Sequence, residues 1–156
     1  MKKLIALLIL GILLIPSAFA EVRTSVSVGT VVVKKPYERG LQVIHCDWTS
    51  TAGGAVTVAI TGLFGTVERA AFAPVAAASP SASYDVVITD LTGYDILATL
   101  GANRSATAVE NVVPKIATVV SSATTHEKVV TGGTLSLAIT NAGAAKQGKF
   151  TLYVSN

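Results

Sequence analysis

The sequence has 156 residues, of which 51% are hydrophobic and 13% charged, with a formal charge of +3 at neutral pH. Beyond residue 20 there are 10 Lys or Arg against 9 Asp or Glu, so most of that charge sits at the start of the chain. Binding to nucleic acid needs clustered excess cations, so this near balance of charges argues against a nucleic-acid partner. A single cysteine excludes an intramolecular disulfide framework.

The chain opens with a segment typical of a secretory signal peptide. Lys2 and Lys3 precede an apolar run over 4–15, and Ala18-Phe19-Ala20 forms a small-x-small cleavage site. Twelve helical residues rise about 18 Å, well short of the roughly 30 Å hydrocarbon core, which favours a cleaved signal over an uncleaved anchor. We therefore predict a signal peptide at 1–20 and export to the periplasm or the cell exterior. Only this transient segment would contact a membrane.

The remaining residues have the composition of a β protein. Val, Thr and Ile account for 45 of the 136 residues after position 20. Their side chains are stiff at χ1 and suit a pleated surface better than a helix. No stretch sustains an apolar stripe at helical spacing over three turns. The composition therefore predicts one all-β domain.

Alternation of apolar and polar residues predicts the strands in order. The first covers 26–33, and the second, 41–48, turns Ile44, Cys46 and Trp48 towards the core. Later segments with strand patterns are 56–60, 66–72, 84–89, a strand beginning at Asp95, a short extended piece at 109–114, 134–140 and 150–154.

Seven or eight short strands at this spacing predict a single antiparallel β-sandwich or jelly-roll-like domain. We assign this domain to residues 41–156 and an N-terminal strand and linker to 21–40. A loop rich in Ala, Ser and Pro at 74–83 is predicted to be a mobile connection.

Three carboxylates, Asp85, Asp90 and Asp95, recur at five-residue intervals around a turn. They could hold Ca²⁺, but the EF-hand pattern is absent and strand period 2 sends neighbouring members to opposite faces. The simpler interpretation is that Asp90 and Asp95 cap the backbone of a hairpin turn over 90–94. Tyr94, at the predicted tip, is the best aromatic candidate for a surface contact.

His45, Cys46 and Asp47 combine residue types that make metal sites and nucleophilic dyads. Neighbours in a strand point to opposite faces, so His45 cannot activate Cys46. His45 and Asp47 share a face and His126 could join them as a third metal ligand, but two histidines without CxxC or HExxH make a weak metal signal. A half-exposed polar face with a buried, inert thiol behind it is the favoured interpretation.

Motifs of catalysis and cofactor binding are missing from the sequence. Neither a GxSxG nucleophile elbow nor a GxxxxGK[ST] phosphate loop occurs. We therefore predict no enzymatic activity, no catalytic residues, no metal site and no cofactor. An enzyme that uses His45 or His126 is the least favoured of three hypotheses.

Over 41–114 and again over 132–154 the chain resembles a family of small β-rich structural proteins of tailed bacteriophage virions. The stretches that carry the resemblance are YDVVITD at 84–90, GYDIL at 93–97, GANRSAT at 101–107, VVP at 112–114, GTLSLAITNAG at 133–143 and GKFTLYV at 148–154. The GANRSAT loop is the most specific of them. The resemblance implies a head-decoration or tail-associated protein with no catalytic residues. The signal peptide departs from that pattern, because phage structural proteins normally assemble in the cytoplasm.

The other two functional hypotheses do not involve catalysis. The leading one is a non-enzymatic structural protein of a phage particle or surface assembly, which acts through self-association or through contacts with a capsid, tail or surface lattice. Its candidate interaction residues are Tyr94, Asn103 and Arg104. The alternative is a secreted surface or binding module, such as an adhesin or a sandwich that binds carbohydrate or Ca²⁺.

Overall fold

A computed structural model describes residues 22–23, 30–34, 37–38, 40–120 and 123–156, with side chains at 40–117 and 126–156. The predicted signal peptide at 1–20 and the start of the predicted first strand, at 26–29, lie outside the described residues. The described chain is built of antiparallel strands with one 3₁₀ turn at Ala76–Ala78, which confirms the all-β prediction. Within those ranges no helix is long and apolar enough to cross a membrane.

Eleven strands lie in the described ranges. They are β1 (Val22–Arg23), β2 (Thr30–Lys34), β3 (Tyr37–Glu38), β4 (Leu41–Thr49), β5 (Val56–Pro74), β6 (Asp85–Thr89), β7 (Glu110–Val112), β8 (Lys115–Val120), β9 (Ala123–Lys128), β10 (Val130–Thr140) and β11 (Gln147–Ser155). Nine of them form one sheet in the order β1-β2-β4-β11-β5-β10-β6, with β3 beside β4 and β7 beside β5. β8 and β9 form a separate two-stranded ribbon.

The 19-residue strand β5 belongs to both halves of the sandwich. Its first part, up to Thr66, pairs with β10, and its second part, from Thr66 to Pro74, pairs with β11. Near the end of the first part Gly62 and Gly65 have φ angles of 71° and 136°, a region that glycine enters without strain. The strand therefore bends there, so that one half contains β2, β4, β11 and the end of β5, and the other contains the start of β5, β10 and β6.

Side chains from both halves fill one core. Along β4 every second residue is buried, as the alternation predicted, so Ile44, Cys46 and Trp48 face inwards. The ring centroids of Trp48 and Tyr84 lie 5.7 Å apart and join the two halves. Burial of such rings contributes about 2–3 kcal/mol each to stability.

The thiol of Cys46 is fully buried in this core. We expect it to resist thiol reagents in the native protein and to react only after unfolding. Non-reducing electrophoresis of purified protein should show a monomer band without a disulfide-linked dimer. A dimer band that disappears on reduction would contradict the buried position.

Three elements differ from the sequence prediction. The segments 56–60 and 66–72, predicted as separate strands, are the two ends of β5. The ribbon of β8 and β9 was not predicted. The strand predicted to begin at Asp95 was wrong, because turns follow this residue and only an isolated bridge joins it to Thr89.

The physical reason for the last difference is local. The two carboxylate oxygens of Asp95 accept hydrogen bonds from the N–H groups of Leu97 and Thr99, at 3.0 and 2.9 Å. Ala98 and Thr99 adopt φ angles of 50° and 67°. Hydrogen bonds from a side chain to the backbone just after it compete with the pairing of a strand. Here the side-chain hydrogen bonds of Asp95 take the place of strand pairing.

Candidate functional site

The loop at 95–104 covers the free edge of β6, the last strand of the sheet. Three backbone hydrogen bonds of 2.7–2.8 Å join the loop to the β6 segment. The N–H of Val86 donates to the carbonyl of Gly101, that of Ile96 to the carbonyl of Ile88, and that of Arg104 to the carbonyl of Tyr84. An uncovered edge strand is a template for pairing with another chain. This loop, which includes most of the GANRSAT stretch, therefore closes an edge of the fold.

Arg104 anchors that loop on the core. Its Nε and Nη2 donate hydrogen bonds to the carbonyl of Ala102 at 3.0 and 2.7 Å, and its Nη1 lies 3.6 Å from Oε1 of Glu110. The guanidinium carbon lies 5.3 Å from the ring centroid of Phe72, within the range of a cation–π contact. Only 15% of the Arg104 side chain is exposed. Its polar groups are thus engaged inside the chain.

Asn103 and Tyr94 lie at opposite ends of β6. Asn103 is exposed, has a φ angle of 55°, and donates its backbone N–H to Asp85 at 2.9 Å. Tyr94 is 39% exposed and belongs to the turn beyond the other end of the strand. The three candidate interaction residues therefore do not form one surface cluster, because Arg104 is mostly buried and the other two flank the strand.

The turn at 90–94 has the aspartate cap that the sequence predicted. Oδ1 of Asp90 accepts hydrogen bonds from the hydroxyl and N–H of Thr92 and from the N–H of Tyr94, at 2.6–3.0 Å. These bonds, led by the Thr92 hydroxyl, hold the pKa of Asp90 below its ordinary value. Asp90 is thus occupied with its own backbone.

A second polar cluster lies on the outer face of β4 and β11. His45 and Asp47 share that face, as predicted, with Nε2 3.3 Å from Oδ1. The Nδ1 of His45 lies 2.9 Å from the hydroxyl of Thr151, and Nζ of Lys149 lies 3.8 Å from Asp47. His126, the third predicted metal ligand, lies on β9. Among the described side chains, no three His, Cys, Asp or Glu residues gather as a metal site.

A cleft of 330 Å³ opens beside this cluster. Its lining comprises Asp47, Trp48, Thr49, Val75, Gln147, Gly148 and Lys149. One cation, one anion and an amide could orient a small polar ligand there. The volume is at the lower end of ligand sites.

The outer face of the other half of the sandwich is almost uncharged. Ser136 on β10 stands opposite Ala59 on β5 and Thr89 on β6, and Ala138 stands opposite Thr57 and Val87. With Thr61, which follows on β5, these seven side chains are small and uncharged. Asp85 stands at one corner of this face and is tied to Asn103 and Asn141. A protein partner could lie against this face without desolvating a charge.

Large exposed apolar side chains continue along the same outer side. Phe64 on β5 is 62% exposed, Val130 on β10 is 73% exposed, and Leu91, beside Gly133, is 79% exposed. The sequence prediction singled out none of them. Phe64 follows Gly62, where the bend shifts the alternation of β5 by one residue, so a plain period of two does not reveal which way it points.

Three comparisons bear on identity. No family model, no curated protein and no solved structure matches this chain. The described geometry therefore carries the functional argument, together with the sequence pattern.

Tyr84 provides a test of how the loop packs on the core. It is 1% exposed, and burial, with a smaller contribution from the charge of Glu110, raises its pKa to about 12. In the unfolded chain the phenol ionises near pH 10. The native state therefore favours the neutral phenol, and this contribution is complete below pH 10 and is lost as pH rises towards 12.

We expect the Tyr84→Phe variant to lose less stability at alkaline pH than the wild type. Between pH 9 and pH 11.5 the wild type should lose about 2 kcal/mol more free energy of unfolding than the variant. Urea unfolding of both proteins at the two pH values measures this difference. Equal losses would show that Tyr84 does not titrate with a raised pKa.

Proposed function

We propose that this protein is a non-enzymatic structural protein that acts through protein–protein contacts in a particle or surface assembly. The observation that carries the proposal is the uncharged outer face of β5, β10 and β6. It consists of the seven small side chains named above, on those three strands. Association surfaces lack charge at their centres, because each buried charge must be desolvated.

The use of polar residues in the loops supports the same proposal. Asp90 and Asp95 cap turns, Asp85 holds Asn103, and Arg104 pairs with Glu110. These groups maintain the loop that covers the edge of β6. Shielding of this edge is what a chain needs if it is to meet its partners through a sheet face without uncontrolled strand addition.

The resemblance to tailed-phage structural proteins favours a virion, and the segment at 1–20 favours a surface assembly reached by export. We propose that export is followed by cleavage after Ala20. The mass of the intact protein recovered from its host would test this step, since the cleaved chain begins at Glu21. Recovery of uncleaved protein in the membrane fraction would contradict it.

A charge placed on the uncharged face tests the main proposal. We expect the Ala59→Arg variant to fold normally and to be lost from the high-mass particle or cell-surface fraction of its host. Ala108→Arg, which adds the same side chain at an exposed loop position, is the matched control and should stay in that fraction. The proposal fails if the wild-type protein is absent from high-mass fractions, or if both variants are retained there.

The cleft beside Asp47 favours one alternative, a secreted module that binds a small polar ligand such as a glycan or Ca²⁺. A bound ligand would stabilise the folded state by mass action. A thermal-shift screen with Ca²⁺ and with soluble glycans tests it, with Lys149→Ala as the cleft variant. A shift with the wild type that the variant loses would support the alternative, and no shift would reject it.

A further inference from the structure

A strip of outward-facing residues runs along the paired strands β5 and β10, beyond the uncharged face. On β5 it comprises Phe64, Thr66 and Glu68, and opposite these on β10 and the end of β9 stand Gly132, Val130 and Lys128. We call these six residues the outward strip. Residues between them, such as Val67 and Val129, point into the core.

One end of the outward strip is apolar. Phe64 and Val130 are 62% and 73% exposed. The ring of Phe64 lies over Gly132, at 3.3 Å from the position that a β-carbon would occupy there. A large exposed aromatic close to an exposed valine has the composition of an interface centre, in which aromatic residues are enriched.

The other end of the outward strip carries an ion pair between Glu68 and Lys128, whose charges cancel. Nζ of Lys128 lies 2.6 Å from Oε2 of Glu68, and the hydroxyl of Ser155 donates to Oε1 of Glu68 at 2.7 Å. The hydrogen bonds from Lys128 and Ser155 hold the pKa of Glu68 below its ordinary value, which favours the ionised carboxylate. The Lys128 side chain remains 55% exposed and free to meet a second carboxylate.

This arrangement is complementary to itself. A two-fold axis that runs along the outward strip, between β5 and β10, would stack the apolar ends of two strips on each other. The same rotation would place Glu68 of each copy opposite Lys128 of the other at the charged end, so that each acid faces a base. A closed two-fold contact needs this pattern, in which one patch meets its own image.

We propose that the outward strip is the contact between two copies of this chain. The inference deepens the proposed function, on which it rests, by naming a second copy as a partner and the strip as its site. Phe64 and Val130 form the apolar part of the contact, and the two charged pairs, which meet at its other end, set the orientation.

The size of the strip predicts the strength of the contact. A standard stable interface buries roughly 800 Å² on each partner. Two exposed side chains with one charged end cover less than this, so the isolated pair should associate weakly, with a dissociation constant of about 10–1,000 µM. Weak contacts of this kind suit an assembly in which each copy is held by several neighbours.

Sedimentation velocity of the exported protein, purified from its host, over about 1–1,000 µM tests this contact. The wild-type mass should rise from monomer towards dimer with concentration. The Phe64→Ser variant should bind itself at least tenfold more weakly, whereas Val109→Ser, at a 66% exposed valine ahead of β7, should behave as the wild type. A wild type that stays monomeric at every concentration would overturn the inference.

Charge exchange tests the charged end independently. The Glu68→Lys and Lys128→Glu variants should each associate more weakly than the wild type, because like charges then meet at the charged end of the contact. An equimolar mixture of the two should recover association, since one copy then carries two cations where the other carries two anions. A mixture no stronger than either variant alone would overturn the proposed orientation, provided that thermal melting shows both variants folded.

Failure of this inference is distinguishable from failure of the proposed function. A protein that is monomeric in solution but present in high-mass fractions of its host would retain its structural role with a different partner, and the outward strip would not join copies. A protein that dimerises through the strip but never enters such fractions would reject the assembly role and keep the contact.

Discussion

Replacement of Gly101 by alanine is expected to lower the free energy of unfolding by about 3 kcal/mol. A β-carbon at this position would overlap the carbonyl oxygen of Val86, and a backbone atom cannot move aside as a flexible side chain can. The carbonyl of Gly101 also accepts a hydrogen bond from the N–H of Val86, at 2.8 Å. The substitution would thus lift the loop away from the edge of β6.

Urea unfolding measures this loss, with Gly53→Ala as the control. A β-carbon at Gly53 meets only the Thr51 hydroxyl, at 3.7 Å, which is an ordinary contact. The control should change stability by less than about 0.5 kcal/mol. If both glycines tolerated alanine equally, the loop would not be held against β6 as described. A Gly101→Ala protein that also aggregates faster would agree with exposure of an edge strand.

The second large effect is expected for Phe72→Ala, at about 4 kcal/mol. Phe72 is 1% exposed, its ring centroid lies 5.6 Å from that of Phe150, and the Arg104 guanidinium lies over its face. Its removal leaves a cavity and also frees Arg104 from the core. Phe64→Ala, the same change at an exposed ring, should cost less than about 1 kcal/mol.

A double-mutant cycle separates packing from the cation–π contact. Phe72→Ala and Arg104→Ala should couple by about 1 kcal/mol, because both remove the same contact between ring and guanidinium. Urea unfolding of the wild type, both single variants and the double variant gives this value. Simple additivity would mean that Arg104 holds the loop through Ala102 and Glu110 alone.

Much of the fold follows from strand periodicity. β4 has the predicted inward residues, and β11, predicted as a strand over 150–154, alternates in the same way, because each strand keeps one face on the core and the other towards solvent. β10 shows the same pattern over its second part. In such strands the burial period is two, and the sequence displays it directly.

The rest depends on interactions that periodicity does not encode. The bend of β5 needs Gly62 and Gly65 together with pairing partners far along the chain, β10 and β11. Asp95 resembles a strand residue by its neighbours but bonds to its own following backbone. Local patterns describe single segments, and these features arise from competition between segments.

The candidate site was harder to predict than the fold. Arg104 looks like a loop cation in the sequence, and only the packing of Phe72 and Glu110 around it shows that it is engaged. An unbroken period of two along β5 would place Phe64 on the same face as the buried Ile60. The shift of the alternation at Gly62 turns Phe64 outwards instead. The burial of Arg104 depends on Phe72, far away in the sequence, and the exposure of Phe64 depends on a local break in the strand, so a plain period of two could reveal neither.

Photo-crosslinking from position 64 in the host tests most directly the claim that this chain works through protein contacts on its outer side. A benzophenone amino acid replaces Phe64, and the control carries it at Val109, which is equally exposed. We predict covalent adducts at position 64 that contain a second copy of this chain and fractionate with high-mass assemblies, with few adducts at position 109. Irradiated protein that remains an unmodified monomer at position 64 would contradict the account.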